Sequence, residues 1–250
     1  MAIPSIPSST TAALNFFVAP QDGSPAFQNI NASADGAAEK NFSFESIDVK
    51  IQNMRGNESA ATLDTAGYQL FTQPAQHTAF ANDAEIRKEY IPESAELIKK
   101  LTGASRVVVF DHTIRRRRPG EIDDSPDRRQ PVPQTHVDQT AKSSLARLHM
   151  HLPPQEVPEL LKQRFQIVNL WRPIDREPGE TYAVRYNPNQ KWTYFSGVTP
   201  DEMILIKCYD STQDGSVALY TPHTAFSDPQ TPKGAPFRES IELRTLVFYD

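Results

Sequence analysis

Gln134-Thr135-His136-Val137-Asp138-Gln139-Thr140 is the stretch from which the rest of this chain can be read. In an extended backbone successive side chains alternate faces, so His136 and Asp138 project to one side, an imidazole beside a carboxylate. A second imidazole alongside would complete two histidines and one carboxylate, a set that leaves positions open on non-haem Fe(II) for a co-substrate and oxygen. His223, within Tyr220-Thr221-Pro222-His223-Thr224-Ala225-Phe226, is the candidate third ligand, and fifteen residues later Arg238-Glu239-Ser240 offers a cation suited to a dicarboxylate. The predicted metal-binding and catalytic set is therefore His136, Asp138 and His223. An isolated H-x-D carries little information; H-x-D, a distant histidine and R-x-S in this order carry more. The alternative for each histidine is a surface loop or a core position satisfied by hydrogen bonds.

The composition narrows the class. A chain of 250 residues can bury a sizeable core, and sandwiches or barrels of this length are commonly single domains. A net charge of −5 argues against a polyphosphate partner. The one cysteine, Cys208, excludes an intrachain disulfide framework and any C-x-x-C metal knuckle, and it fits a reducing, cytoplasmic setting. The N-terminal residues lack a signal-peptide pattern, and no apolar run approaches the roughly twenty residues of a membrane span. Sequons beginning at Asn31, Asn41 and Asn57 would matter only with an export signal.

Residues 1–13, rich in Pro, Ser, Thr and Ala, are expected to form a flexible tail, leaving 14–250 as one folded domain. Short extended runs follow: Ile47–Ile51, Thr62–Asp64 and Tyr68–Phe71. Asp83–Lys88 opens a helix, and Pro92–Leu101 is a stronger one, with proline in the first turn, lysines in the last and Gly103 beyond it. Arg106–Phe110 reads as a buried strand. Ile114–Gly120, with four consecutive arginines, reads as a polar loop over a pocket mouth; the acidic residues Glu121, Asp123, Asp124 and Asp127 cancel its field for nucleic acid. Ser143 or Ser144 caps a helix through His151, and Pro154–Phe165 gives another. Strands are then expected at Phe165–Pro173, Tyr182–Tyr186, Lys191–Phe195, Met203–Tyr209, Val217–Tyr220 and Ile241–Phe248. Helices early and in the middle, with strands dominating the second half, predict a mainly β fold with flanking helices, a double-sheet jelly roll.

Secondary site residues follow from parity and charge. Asn169 and Trp171 share one face of Phe165–Pro173, so Asn169 is a candidate for binding a carboxylate co-substrate, and Trp171, Arg172 and Arg116 are candidates for binding substrate. Arg238, Ser240, Glu242 and Arg244 share one parity, but six residues of strand place the two arginines roughly 20 Å apart. Arg238, Ser240 and Arg244 are candidates for binding the carboxylate co-substrate. Arg238, with Ser240 beside it, is favoured over Arg244, which has a ready ion pair in Glu242, and the sequence leaves the choice between the two arginines open. His149 and His151, two apart on a helix, point to different faces and cannot jointly hold a metal. Cys208 reads as a core thiol.

Several motifs together carry a family likeness: Met54-Arg55-Gly56, Thr62-Leu63-Asp64 with Gly67-Tyr68, Phe110–Arg116, His136-Val137-Asp138, Phe165–Pro173 and Tyr220–Phe226. From about residue 14 to the C-terminus the chain resembles the fungal hydroxylase/desaturase family of specialised metabolism. That family is similar to a component of bacterial cephamycin methoxylation and to the gibberellin desaturase group. The resemblance implies a distorted double-stranded β-helix (cupin-like jelly roll) of the Fe(II)/2-oxoglutarate-dependent dioxygenase type. It further implies Fe(II) on His136, Asp138 and His223, 2-oxoglutarate as co-substrate, and hydroxylation, desaturation or oxidative cyclisation of a small specialised metabolite by ferryl C–H abstraction. The partners expected are a small-molecule substrate and molecular oxygen, with no nucleic acid or membrane and with a homodimer left open. Two rivals keep the same triad: a cupin-like Zn or Mn hydrolase or isomerase, and a non-catalytic jelly-roll accessory protein.

Overall fold

The structure, a computed structural model, describes residues 7–27, 40–120, 129–174 and 184–250. Its elements are β1 (Ser9–Val18), β2 (Ser43–Asn53), β3 (Tyr68–Thr72), α1 (Asp83–Glu85), a π-turn (Ile86–Tyr90), α2 (Ile91–Thr102), β4 (Arg106–Arg116), α3 (Ala141–His151), α4 (Val157–Leu160), β5 (Phe165–Pro173), β6 (Trp192–Tyr194), β7 (Glu202–Asp210) and β8 (Glu239–Phe248). They form a three-stranded sheet, β1-β2-β6, and a five-stranded sheet, β3-β7-β5-β8-β4. Strands β7, β5 and β8 lie inside the larger sheet and are buried along nearly their whole length. Cover on both faces buries all nine residues of Phe165–Pro173, so its polar members Gln166, Asn169 and Arg172 are buried with the apolar ones and each meets a hydrogen-bond partner inside the protein.

The two faces of the larger sheet do different jobs. One presents Val168, Leu170, Leu205, Ile241 and Leu243 to Ile98 of α2 and to Tyr90. Removing the Ile98 side chain to Ala would cost about 2–5 kcal/mol, the usual loss for a fully buried aliphatic group. The other face carries Asn169 with its cross-strand partners Ile206 and Arg244, and Trp171 with Ile204 and Glu242. This face looks toward the smaller sheet. Leu148, Leu152 and Val157, from the α3–α4 region, close one end of the interior against Ile167, Cys208 and Leu246. Two opposed sheets with helices packed outside them give the distorted double-stranded β-helix expected from the sequence.

Several expectations need correction. Residues 9–13 are not a loose tail: β1 pairs with β2 from Ser9 opposite Gln52 onward, burying Thr10 and Ala12, so a full antiparallel ladder offsets their ordering entropy. Thr62–Asp64 is a turn, because the Asp64 carboxylate is drawn to Lys207 and Arg164. Val217–Tyr220 forms no strand. Arg106–Phe110 extends to Arg116 and is half-buried because β4 lies at the sheet edge, so Ile114–Arg116 is strand and not loop. The cap of α3 is Thr140, reciprocated by Ser143, and Pro154–Phe165 shortens to α4. The acidic cluster at 121–127 and Tyr182–Ala183 lie outside the described residues, and Val184–Tyr186 has no strand. No helix among the described residues is long and apolar enough to cross a membrane.

Candidate active site

The two distant histidines meet as direct partners in one antiparallel bridge. The His136 N–H donates to the His223 carbonyl at 3.0 Å, and the His223 N–H donates back at 2.8 Å. The H-x-D stretch is not a regular strand; a bridge from Gln134 to Asn15 and the one to His223 keep it extended. His136 and Asp138 therefore stay on one side, as alternation requires. Each imidazole is oriented through its own backbone: His223 Nδ1 lies 2.9 Å from the Thr221 carbonyl and His136 Nδ1 lies 3.3 Å from the Gln134 carbonyl. A carbonyl only accepts, so Nδ1 carries the proton on both rings and the Nε2 lone pairs are left for a metal.

Those lone pairs converge on Asp138. Its Oδ1 is 3.4 Å from His136 Nε2 and 4.0 Å from His223 Nε2, and one donor atom from each residue lies within 4.8 Å of the others. Metal–ligand bonds of about 2.1 Å place adjacent donors about 3 Å apart and opposite ones about 4.2 Å apart, so the observed spacings suit one ion between the three groups. The His223 Nε2 atom is buried and has no hydrogen-bond partner, as expected of an atom reserved for a cation. Burial first, then His223, Arg115 and Arg244, hold the His136 imidazole well below its usual range, in the neutral form that ligates.

The carboxylate is held from behind. Asp138 Oδ2 accepts from Asn169 Nδ2 and from Cys208 Sγ at 3.4 Å, turning Oδ1 toward the imidazoles. Asn169 was expected to meet a co-substrate carboxylate; it meets the carboxylate of the ligand itself. Cys208 is buried as expected, but it also touches the site. It occupies a bulge in β7, where the register against β5 shifts between Ile167 and Val168. Sequence periodicity gives no sign of such a bulge.

Beside the triad lies a cavity of about 360 Å³ between the two sheets, walled by Leu14, Ile51, Trp192 and Tyr194 from the smaller sheet and by Trp171, Ile204 and Ile206 from the larger. His223 is the triad member in its wall. Trp171 thus lies where a substrate-binding role needs it. Arg172 does not: it is buried on the opposite face, with Nε donating to the Tyr90 hydroxyl at 3.2 Å and Nη1 to the Pro200 carbonyl at 2.7 Å. Its parity with Val168 and Leu170 decides that side. Arg116 is also turned away, ion-paired to Glu239 at 2.7 Å on the outer face of β4.

The other arginines divide as their neighbours dictate. Arg238 is buried, with its guanidinium 3.0 Å from Ser240 Oγ and over the Trp171 ring at 5.6 Å. Arg244 binds Asp111 and Thr113 at 2.9 Å and Glu242 at 2.6 Å, and its Nε is 4.0 Å from Asp138 Oδ2. Burial opposes its charge, but Glu242, Asp138 and Asp111 outweigh that and raise its pKa. Arg115, read only as part of an arginine run, sits opposite Ser240 on the site-facing side of β4, buried. Alternation with Ile114 was the signal that could have singled it out. His149 and His151 lie outside the site, His151 stacking on Phe110 at 4.9 Å.

A family model described as an oxidoreductase/YMDC permease-like domain matches residues 14–178 and 175–248. The hydroxylase/desaturase CTB9 of Cercospora beticola is 33% identical over 255 residues, covering 83% of this chain and 78% of that protein. The chain belongs to the fungal hydroxylase/desaturase family. Among other relatives, the alpha-ketoglutarate-dependent dioxygenase phiK of a fungal species (strain ATCC 74256) is 28% identical, covering 84% of this chain and 86% of its own. In three dimensions the chain matches the iron and alpha-ketoglutarate-dependent endoperoxidase NvfI with a TM-score of 0.81 and 25% identity, over 97% of this chain and 98% of that one. Family membership and fold thus agree with the likeness carried by the sequence motifs.

Proposed function

We propose that this protein is a non-haem Fe(II)/2-oxoglutarate-dependent dioxygenase that hydroxylates, desaturates or oxidatively cyclises a small specialised metabolite. The observation that carries the reading is the convergence of His136, Asp138 and His223 beside an aromatic cavity. His136 Nε2, His223 Nε2 and Asp138 Oδ1 would hold the iron. Bound iron with 2-oxoglutarate and oxygen supplies the oxidising power to remove hydrogen from a substrate carbon. Arg238, with Ser240 adding a hydroxyl, is the residue we assign to the distal carboxylate of 2-oxoglutarate. Asn169 and Cys208 fix the Asp138 carboxylate, and Arg244 restrains its second oxygen electrostatically.

The cavity wall supports an uncharged, largely apolar substrate. Trp171, Trp192, Tyr194, Phe195 and Phe226 line it, no carboxylate does so among the described residues, and Lys191 at the exposed rim is the cation of the wall. These rings position the substrate and keep bulk water from the reacting carbon. The buried free thiol of Cys208 supports placing the enzyme in a reducing, cytoplasmic compartment. Oxygen uptake and succinate formation with Fe(II) and 2-oxoglutarate test the proposal. Turnover with Zn or Mn and no 2-oxoglutarate would favour a hydrolase or isomerase, and absence of any turnover across a panel of neutral, apolar substrates would favour an accessory protein.

A further inference from the structure

The turn Thr62–Gly67 and the ion cluster behind it touch none of the triad side chains, yet they hold the segment that carries His223. Residues 217–223 belong to no named strand and are anchored point by point. Ala218 N–H donates to the Asp64 carbonyl at 2.7 Å, Thr221 Oγ1 to the Ala66 carbonyl at 3.2 Å, and Thr221 N–H to the Lys207 carbonyl at 2.8 Å. Lys207 N–H in turn donates to the Gly67 carbonyl at 2.6 Å. The Thr221 carbonyl is the group that orients His223 Nδ1 at 2.9 Å. Any displacement of Thr221 therefore reaches the ligand ring through one residue of backbone and one hydrogen bond.

Two features make this support stiff. Gly67 has φ of +77°, and a Cβ there would fall 2.0 Å from Thr221 Oγ1 and 3.3 Å from Thr221 Cβ, so only glycine allows the two segments to approach this closely. Behind the turn, the Lys207 ammonium lies 2.8 Å from Asp64 Oδ1 and 2.7 Å from Asp210 Oδ2, and Arg164 Nη2 lies 2.6 and 2.7 Å from the same oxygens. Two cations face two carboxylates, with Lys207 and Asp210 fully buried. Burying those charges is tolerable only with the partners in place, so Asp64 is held where its carbonyl meets Ala218.

We infer that the turn Thr62–Gly67, locked by the Asp64–Lys207–Asp210–Arg164 cluster, sets the position of His223, making Asp64, Gly67 and Lys207 positioning residues of the metal centre. The inference rests on the reading of His223 as a metal ligand.

The test uses the full chain and variants Gly67→Ala, Asp64→Asn, the double variant Gly67→Ala/Thr221→Ala, His223→Ala, and Arg106→Ala as a stability control that breaks the remote pair to Glu156. Three quantities are read: Co(II) affinity by chelator competition, imidazole ¹⁵N shifts of the metal-free protein, and Tm. Gly67→Ala should weaken Co(II) binding by about tenfold or more and move the His223 ¹⁵N signals, with Asp64→Asn acting in the same direction. Removing the Thr221 hydroxyl in the double variant relieves the clash at Oγ1 but also deletes the anchor to Ala66, so it should restore part of the affinity but not the Tm, because the positive φ remains strained for alanine. Co(II) affinity within about twofold of the parent in both Gly67→Ala and Asp64→Asn would overturn the inference, as would affinity that merely tracks Tm across the set, Arg106→Ala included. Should Gly67→Ala fail to fold, Asp64→Asn decides by the same criteria. Retained Co(II) binding in His223→Ala would overturn the ligand assignment, whereas its loss there beside unaffected Gly67→Ala and Asp64→Asn would overturn the brace alone.

Discussion

Replacing Arg238 by Gln should remove the grip on the distal carboxylate of 2-oxoglutarate while leaving the metal site intact. Arg238 is 3% exposed, braced by Ser240 Oγ at 3.0 Å and seated over Trp171. A guanidinium so held loses little further freedom on binding an anion. A hydrogen bond to a charged group is worth about 1.5–3 kcal/mol, which corresponds to about a ten- to 150-fold rise in the 2-oxoglutarate requirement. Co(II) affinity should stay near the parent value, because the triad is oriented by Gln134, Thr221, Asn169 and Cys208. The contrast is Arg244→Gln. It strands Glu242, itself 4% exposed, without the cation 2.6 Å away, and breaking such a buried pair costs about 3–5 kcal/mol of stability. Arg244→Gln should therefore lower Tm and disturb metal binding. The assay is calorimetric titration of 2-oxoglutarate into Mn(II)-loaded protein, alongside the 2-oxoglutarate dependence of succinate formation. A selective loss of 2-oxoglutarate affinity in Arg244→Gln with Arg238→Gln unaffected would reverse the assignment, and no loss in either would remove 2-oxoglutarate from the mechanism.

His136→Ala, Asp138→Ala and His223→Ala should each abolish iron-dependent turnover with the circular-dichroism spectrum preserved, since an open catalytic site is not what folds the chain, while His149→Ala should leave iron stoichiometry unchanged. Asn169→Ala should weaken metal binding by about tenfold through the loosened Asp138 carboxylate, a loss read with Co(II) in the absence of any substrate. The chain's two tryptophans, Trp171 and Trp192, both line the cavity, so an apolar ligand entering the metal-free protein should change the intrinsic fluorescence, and an unchanged spectrum at saturation would place the ligand elsewhere. Burial raises the pKa of Asp210, but hydrogen bonds from Arg164, Lys207 and Gln166 outweigh it and hold the group at about 2. A depressed carboxylate stabilises the fold fully above its unfolded pKa of about 3.9 and loses that contribution as pH falls toward 2, so urea unfolding followed from pH 5 to pH 2 should show a decline that Asp210→Asn flattens.

The local periods of the chain determined a good deal on their own. Alternation put His136 and Asp138 on one side, put Asn169 with Trp171, and aligned Arg238, Ser240 and Arg244, and each of these held. Proline in the first turn and Gly103 beyond the last placed α2, and the β-rich second half indicated two packed sheets. These features are legible because they depend on the geometry of a single element, which repeats every two or 3.6 residues. Pairing between elements is different. The sequence does not say that His136 and His223 are bridge partners, that Thr62–Asp64 turns to meet Lys207, or that a bulge brings Cys208 to Asp138. Nor could it say that Arg172 spends its charge on Tyr90 and Pro200 while Arg116 spends its own on Glu239. A strand's parity names two faces without saying which one meets the cavity, and a cation's role is set by whichever carboxylate or carbonyl the fold brings within about 3 Å of it, a distance that only the tertiary structure decides.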